Sequence, residues 1–134
     1  MHSTKIVTSF IRHNDKFLIL KRSDKVRTMK NLWSGISGTI ENDELPLKRA
    51  KIEIFEEIGT LENEISLIKY TEKIRIRSPQ YKNHEWEIFP FLFETTNSTI
   101  NLNWENSDFR WIYAEELKNY ETVPSLQKIL FSLL

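Results

Sequence analysis

Lys48-Arg49-Ala50-Lys51-Ile52-Glu53-Ile54-Phe55-Glu56-Glu57-Ile58-Gly59 combines a helical apolar rhythm with a charge order that helices normally avoid. Leu47, Ala50, Ile54 and Ile58 recur at helical spacing, which predicts a helix from about Leu45 to Ile58. Asp43 is the expected cap, Pro46 falls in the first turn, and Gly59 is expected to close the helix in a left-handed conformation. Cations come first and anions last. The helix macrodipole favours the opposite order by roughly 0.3–1 kcal/mol per charge, and Glu53 repels Glu56 and Glu57 across one turn. The later segment with Glu115 and Glu116 before Lys118 obeys the dipole, so the reversal is local.

At 100° per residue, Glu53, Glu56 and Glu57 share one arc and offer carboxylate oxygens together. Oxygen donors without Cys or a His cluster suit Mg²⁺ or Mn²⁺ rather than zinc, and Mg²⁺ pairs carboxylates with substrate phosphates. On helix charges alone, a solvated acidic face accounts for the pattern about equally well.

Working outward, Ile6, Thr8 and Phe10, then Phe17 and Ile19, flank a polar His13-Asn14-Asp15-Lys16 and read as an antiparallel hairpin. Residues 23–32 read as a polar, basic loop leading to Leu32-Trp33 and the glycine-spaced Gly35-Ile36-Ser37-Gly38. Beyond the helix, strands are expected at Ile65–Tyr70, Lys73–Arg77 and Trp86–Phe93, with Pro90 marking an edge or bulge. Short strands are expected at Thr99–Leu102 and Phe109–Tyr113, then helices at Ala114–Asn119 and Pro124–Leu134. The result is a mixed α/β fold.

The chain has 134 residues, 40% of them hydrophobic and 12% aromatic, enough for one domain with its own core. Nineteen basic residues balance nineteen acidic ones, so no global field draws the chain to nucleic acid or an anionic membrane. Cysteine is absent, excluding disulfides, thiolate metal sites and Cys nucleophiles. No stretch has the length of a membrane span or the pattern of a secretion signal, and a cytoplasmic location is expected. No repeat or linker appears, and neither a nucleophile elbow nor a Walker or dinucleotide fingerprint is present. His2, His13 and His84 have no visible partners for catalysis.

From Gly38 the chain continues with five residues, Glu44, seven residues, and then Ile52 to Thr60, a pattern that resembles the signature of the Nudix hydrolases. Six Gly and Glu positions match: Gly38, Glu44, Glu53, Glu56, Glu57 and Gly59. Trp33 and the late run Phe109-Arg110-Trp111-Ile112 with Glu115-Glu116-Leu117 match further family features, so the resemblance covers the domain. Two departures stand out: Ile52 occupies the family's Arg position, and Ile36-Ser37 replace a Pro-Gly. Arg49, one turn before Glu53, could supply the missing cation. Thr60 in place of an apolar residue is a minor difference.

The resemblance implies an α/β/α sandwich around a mixed sheet, spanning 1–134 as one domain, and Mg²⁺-dependent hydrolysis of a nucleoside diphosphate derivative by water. It implies a metal site at Glu53, Glu56 and Glu57 with Ser37 and Gly38 of the loop, and an anchoring role for Glu44. Glu53 is the first candidate to position or deprotonate water, and Glu105 is the alternative base on a later loop. Arg22, Arg75 and Arg77 are candidate phosphate contacts, and Trp33, Tyr81 and Trp86 candidate stacking rings. Each has an ordinary surface or core reading beside it. The expected partner is a small nucleotide or other diphosphate, met by a monomer or homodimer, with long RNA disfavoured by the neutral charge. A binding module that senses nucleotide without cleaving it is the second reading, motivated by Ile52.

Overall fold

Asn14 and Asp15 both take positive φ, 50° and 65°, the twist a two-residue hairpin needs, and they join β1 (His2–His13) to β2 (Lys16–Arg22). The computed structural model describes residues 2–77 and 82–134. The hairpin pairs only at Arg12 with Phe17 and His13 with Lys16 before it forks. Along β1 the vacated edge is taken by β4 (Ile36–Thr39), in register from Ile6 opposite Thr39 to Ser9 opposite Ile36. Along β2 it is taken by β3 (Trp33–Ser34), through Leu20 with Ser34 and Lys21 with Trp33.

The other strands complete a mixed sheet. β5 (Ile65–Tyr70) and β6 (Ile74–Ile76) both run antiparallel to β7 (His84–Thr95), which lies parallel to β1 from His2 opposite His84 to Arg12 opposite Glu94. β8 (Asn106–Ile112) pairs with the free side of β2. Period two then divides the sheet's side chains between two cores. Val7, Ile11, Leu18, Leu20, Phe91 and Phe93 bury against Ala50, Ile54 and Ile58 of α1 (Pro46–Ile58). Phe10, Phe17, Ile19, Ile88 and Leu92 bury against Leu126, Ile129 and Leu130 of α2 (Leu126–Ser132), helped by Leu117. Helices therefore cover both faces of a mixed α/β sheet, as expected.

Four details differ from the sequence reading. Asp43 does not cap α1: Pro46 fixes the first helical position, which makes Leu45 the cap residue, and no side chain bonds there. Thr99–Leu102 is not a strand, because the Asn101 N–H donates to the last-turn carbonyl of Ile58 at 2.9 Å while Ile100 and Leu102 pack on the α1-side core. Pro90 lies in a strand paired on both sides, not at an edge. It is tolerated because β5 ends its pairing at Phe91 and β6 begins at Ile88, leaving Phe89 and Pro90 opposite the break. Ala114–Asn119 is a 3₁₀ turn rather than an α-helix. Gly59 behaves as expected, with φ 75° and its N–H bonded to Phe55 O at 2.9 Å.

Candidate active site

The charge order of α1 makes sense once its neighbours are in place. Gly38 on β4 lies under the Glu53 side chain so closely that any Cβ there would overlap the carboxyl group. Its φ is not positive, so this glycine serves contact with the helix and not a turn. Arg49, one turn earlier, donates Nη1 to Glu53 Oε2 at 3.0 Å and grips Glu44 bidentately, Nε to Oε1 at 3.0 Å and Nη2 to Oε2 at 2.7 Å. Glu44 Oε1 also accepts the Glu41 N–H at 2.8 Å. One guanidinium thus ties the loop before the helix to the carboxylate in its middle. Ile52, at the family's Arg position, is half-buried and takes no part in this clamp.

The three helix glutamates differ in environment. Glu56 is exposed, whereas Glu53 and Glu57 retain 8% and 4% of their surface. Burial pushes the Glu57 carboxyl well above the usual range, with the nearby charges of Glu105 and Glu53 adding to the shift. Burial and the Glu56 charge also raise Glu53, while Arg49 holds it down. Glu44 moves the other way, below its ordinary value, chiefly because Arg49 bonds both its oxygens. Asn106 Nδ2 donates to Glu57 Oε1 at 3.1 Å, while Glu57 Oε2 is buried without a donor and the Glu57 carboxyl lies against that of Glu53. An orphaned carboxylate oxygen is costly unless a ligand completes it.

That oxygen, the glycine cradle and the all-oxygen donor set fit a hard divalent cation. Among the described residues no group of three or more acidic or histidine side chains is arranged to hold a metal ion on its own.

Glu53 and Glu56 line one end of a cavity of about 530 Å³, together with Ser37, Gly38, Glu105 and Arg22. Arg22 Nε and Nη2 both donate to Thr28 O, at 3.2 and 3.0 Å, and burial lowers its pKa against the opposing pull of Glu57 and Glu105. The cavity then runs over the α2 side of the sheet past Ile6 and Ile88 to Trp86. Glu57 is buried behind this wall.

Of the residues singled out in the sequence, Glu53, Glu56, Ser37, Gly38, Glu105, Arg22 and Trp86 share this cavity, and Glu44, Arg49 and Glu57 stand immediately behind it. Arg75 and Arg77 do not join them. Both are exposed, and Arg75 alternates with Ile76, which lines the cavity, so its guanidinium points away toward Glu87 at 4.0 Å. Trp33 packs edge-on against Tyr120 at 5.2 Å and beneath Arg110, outside the cavity. Tyr81 lies outside the described residues.

Asn106 escaped the sequence reading because a lone Asn at a strand start carries no periodic signal. Leu126 and Ile129, by contrast, sit at helical spacing, and only their role as cavity wall was hidden.

The family description of the NUDIX domain matches residues 3–133. The chain belongs to the Nudix family. With membership comes the expected enzyme class, a Nudix pyrophosphohydrolase, in a family that generally uses divalent metals. The dihydroneopterin triphosphate diphosphatase of Haemophilus influenzae is 28% identical to this Nudix chain, over 96% of it and 87% of the relative. The nucleoside triphosphatase NudI of Klebsiella pneumoniae is 24% identical, over 90% and 89% respectively. Among solved structures, the MutT protein of Methanosarcina mazei superimposes with a TM-score of 0.76 at 21% identity, over 98% of this chain and 91% of that one. No helix among the described residues is long and apolar enough to cross a membrane.

Proposed function

We propose that this Nudix chain hydrolyses the diphosphate linkage of a nucleoside diphosphate derivative, a nucleoside triphosphate or a related small nucleotide, by attack of water on phosphorus. The observation that carries the reading is the pair Glu53 and Glu56 on the wall of a cavity of nucleotide size, backed by the buried carboxyl of Glu57. The names of the Haemophilus and Klebsiella relatives, both enzymes of triphosphates, support a substrate of that class.

Glu53, Glu56 and Glu57, with Ser37 and Gly38 alongside, would hold Mg²⁺, for which Mn²⁺ could substitute. Once bound, the cation supplies Lewis acidity and neutralises charge on the diphosphate. Arg49 keeps Glu53 in place through Oε2, and Glu53, on the cavity wall, would orient water. Glu105, whose Oε1 accepts from Asn103 Nδ2 at 3.3 Å, is the second carboxylate able to receive the water's proton. Arg22, on the same wall, would meet a phosphate oxygen. The chain acts as one domain, monomeric or dimeric, on a small molecule in the cytoplasm.

The test is a panel of nucleoside triphosphates, dinucleoside polyphosphates, sugar nucleotides and dinucleotide cofactors, assayed with Mg²⁺ for wild type and Glu57→Gln. Turnover of at least one class, reduced roughly 100-fold or more in the variant, is expected. Saturable binding with no turnover anywhere on the panel would replace this reading with the nucleotide-sensing one.

A further inference from the structure

Ser23 directly follows β2, retains 6% of its surface and stands behind the cavity wall, yet three hydrogen bonds meet on it. Its hydroxyl donates to Trp104 O at 2.8 Å and accepts the Lys25 N–H at 3.2 Å. Its own N–H donates to Glu105 O at 2.8 Å. Ser23 therefore grips two consecutive carbonyls of the turn, residues 103–106, that leads into β8.

That grip comes where the sheet lets go. The β2–β8 ladder slips between Lys21 and Arg22, opposite Asp108 and Asn106, so regular pairing gives out as the turn begins. The bonds inside the turn do not anchor it either. Asn103 Oδ1 accepts the Glu105 N–H at 3.0 Å and Asn103 Nδ2 donates to Glu105 Oε1 at 3.3 Å, both closing within the same four residues. They fix the Glu105 side chain to its turn, and Ser23 fixes the turn to the sheet.

What the turn carries gives this a functional meaning. Glu105 lines the cavity, and its charge acts on both Arg22 and Glu57. Asn106, the next residue, reaches behind the wall to Glu57. A carboxylate that takes a proton from water must lie within about 2.6–3.2 Å of it, and a 1 Å misplacement costs about 100-fold in rate.

We propose that Ser23 is a positioning residue for hydrolysis: by holding the carbonyls of Trp104 and Glu105 it keeps the Glu105 carboxylate at the distance from water that proton transfer requires. The inference rests on the reading of the site as a diphosphate hydrolase in which Glu105 receives the proton, and adds a residue that acts only through another. Trp104, also on the cavity wall, offers a competing route with a different signature. A ring that touches bound substrate alters KM, whereas a proton acceptor alters kcat.

The experiment screens ATP, GTP, CTP, UTP, diadenosine tetraphosphate, UDP-glucose and NAD⁺ with Mg²⁺. The compound turned over fastest then serves for a double-mutant cycle of Ser23→Ala and Glu105→Gln. Glu105→Gln is expected to lower kcat by about 100-fold or more. Ser23→Ala is expected to lower kcat by about 10- to 100-fold with KM within about 3-fold of wild type. In the Glu105→Gln background the same serine change is expected to move kcat by less than about 3-fold, because the group it positions is gone. In metal-free Ser23→Ala, amide exchange at Ser23 and Glu105 should quicken by about 2- to 10-fold while Gly59 keeps its wild-type rate. Ser23→Cys, which keeps a weak donor in place, should fall between wild type and alanine, and it carries the cycle if the alanine variant does not fold.

Independent, multiplying losses in the double variant would overturn the inference, as would unchanged amide exchange at Glu105. A change confined to KM would overturn it too and assign Ser23 to Trp104. If Glu105→Gln retains kcat within about 3-fold, the inference falls with the role of Glu105, while diphosphate hydrolysis stands on Glu53. Failure to turn over any of the seven compounds removes the hydrolase reading and the inference together.

Discussion

Replacing Gly38 with alanine isolates the contact on which the geometry of Glu53 depends. Because Gly38 does not need positive φ, alanine is compatible with the β4 backbone, and the added methyl group meets the Glu53 carboxyl rather than strain of its own making. The carboxyl must withdraw by roughly 1 Å to regain ordinary contact, and misplacement on that scale costs about 100-fold in rate, close to 2.7 kcal/mol of barrier. Withdrawal also strains the Arg49 bond at 3.0 Å, a charged pair with 10% and 15% of its side-chain surface left. Such a bond contributes about 1.5–3 kcal/mol, offset by roughly 0.4–1 kcal/mol because alanine restricts the unfolded chain. A net loss near 1–2 kcal/mol corresponds to a Tm drop of about 3–6 °C for a domain of this size. Steady-state kinetics on whichever nucleotide the wild type prefers, beside a calorimetric melt, separates the two effects. If Gly38→Ala retains kcat within about 3-fold of wild type, Glu53 need not lie against β4 to work, and the cradle argument fails.

Three other perturbations probe different parts of the arrangement. Arg49→Ala frees both Glu44 and Glu53 and should lower kcat by about 10- to 100-fold, with Arg49→Lys recovering only part because it cannot bond Glu44 bidentately; unchanged turnover across a Mg²⁺ titration would show that Arg49 does not replace the missing cation at Ile52. Asn106→Ala strips Glu57 Oε1 of its donor inside the protein, so metal-free protein should lose about 1–3 kcal/mol in denaturant titrations at neutral pH. Glu87, held below the ordinary carboxylate range chiefly by Lys73 Nζ at 2.6 Å and then by Ser3, titrates lower in the folded than in the unfolded state. Its contribution is therefore complete above the unfolded pKa and fades as pH falls below about 4.5, and Lys73→Met should flatten the acid limb of a Tm–pH curve. A limb of the same slope in that variant would show that the pair contributes nothing.

Strong local signals survived folding, whereas those that depend on a partner elsewhere in the chain did not. The α1 rhythm, the Gly59 stop, the Asn14-Asp15 turn and the three glutamates are determined by neighbours a few residues away, and all are where the sequence puts them. The charge reversal was legible as an anomaly. Its explanation needed Gly38 and Asn106, which come from β4 and β8. Thr99–Leu102 has strand-like composition, but the end of α1 claims its backbone, a tertiary override that no window of that length contains. Pro90 marks neither an edge nor a bulge of its own: it falls opposite the break between β5 and β6, with the pairing irregularity of β5 nearby at Leu92 and Phe93. Arg75 and Trp33 take the ordinary surface and packing readings that stood beside their candidate roles. Their chemistry suits phosphate or base, yet strand parity and a packed Tyr120 decide where they point.

The loop between β2 and β3 is pinched at its neck. Arg22 N–H bonds Leu32 O and Asn31 N–H bonds Arg22 O, both at 2.9 Å, so the residues between leave and re-enter the sheet at one fixed point. Doubling such an excursion costs only about 0.6 kcal/mol in closure entropy. Insertions and deletions there leave strand register and the backbone neck untouched while remodelling the rim formed by Thr28 and Met29, and with it the carbonyl that holds the Arg22 side chain. Descendants of this scaffold can thus diverge in what they admit without revisiting how they cleave it, which makes the neck a natural splice point for loop libraries.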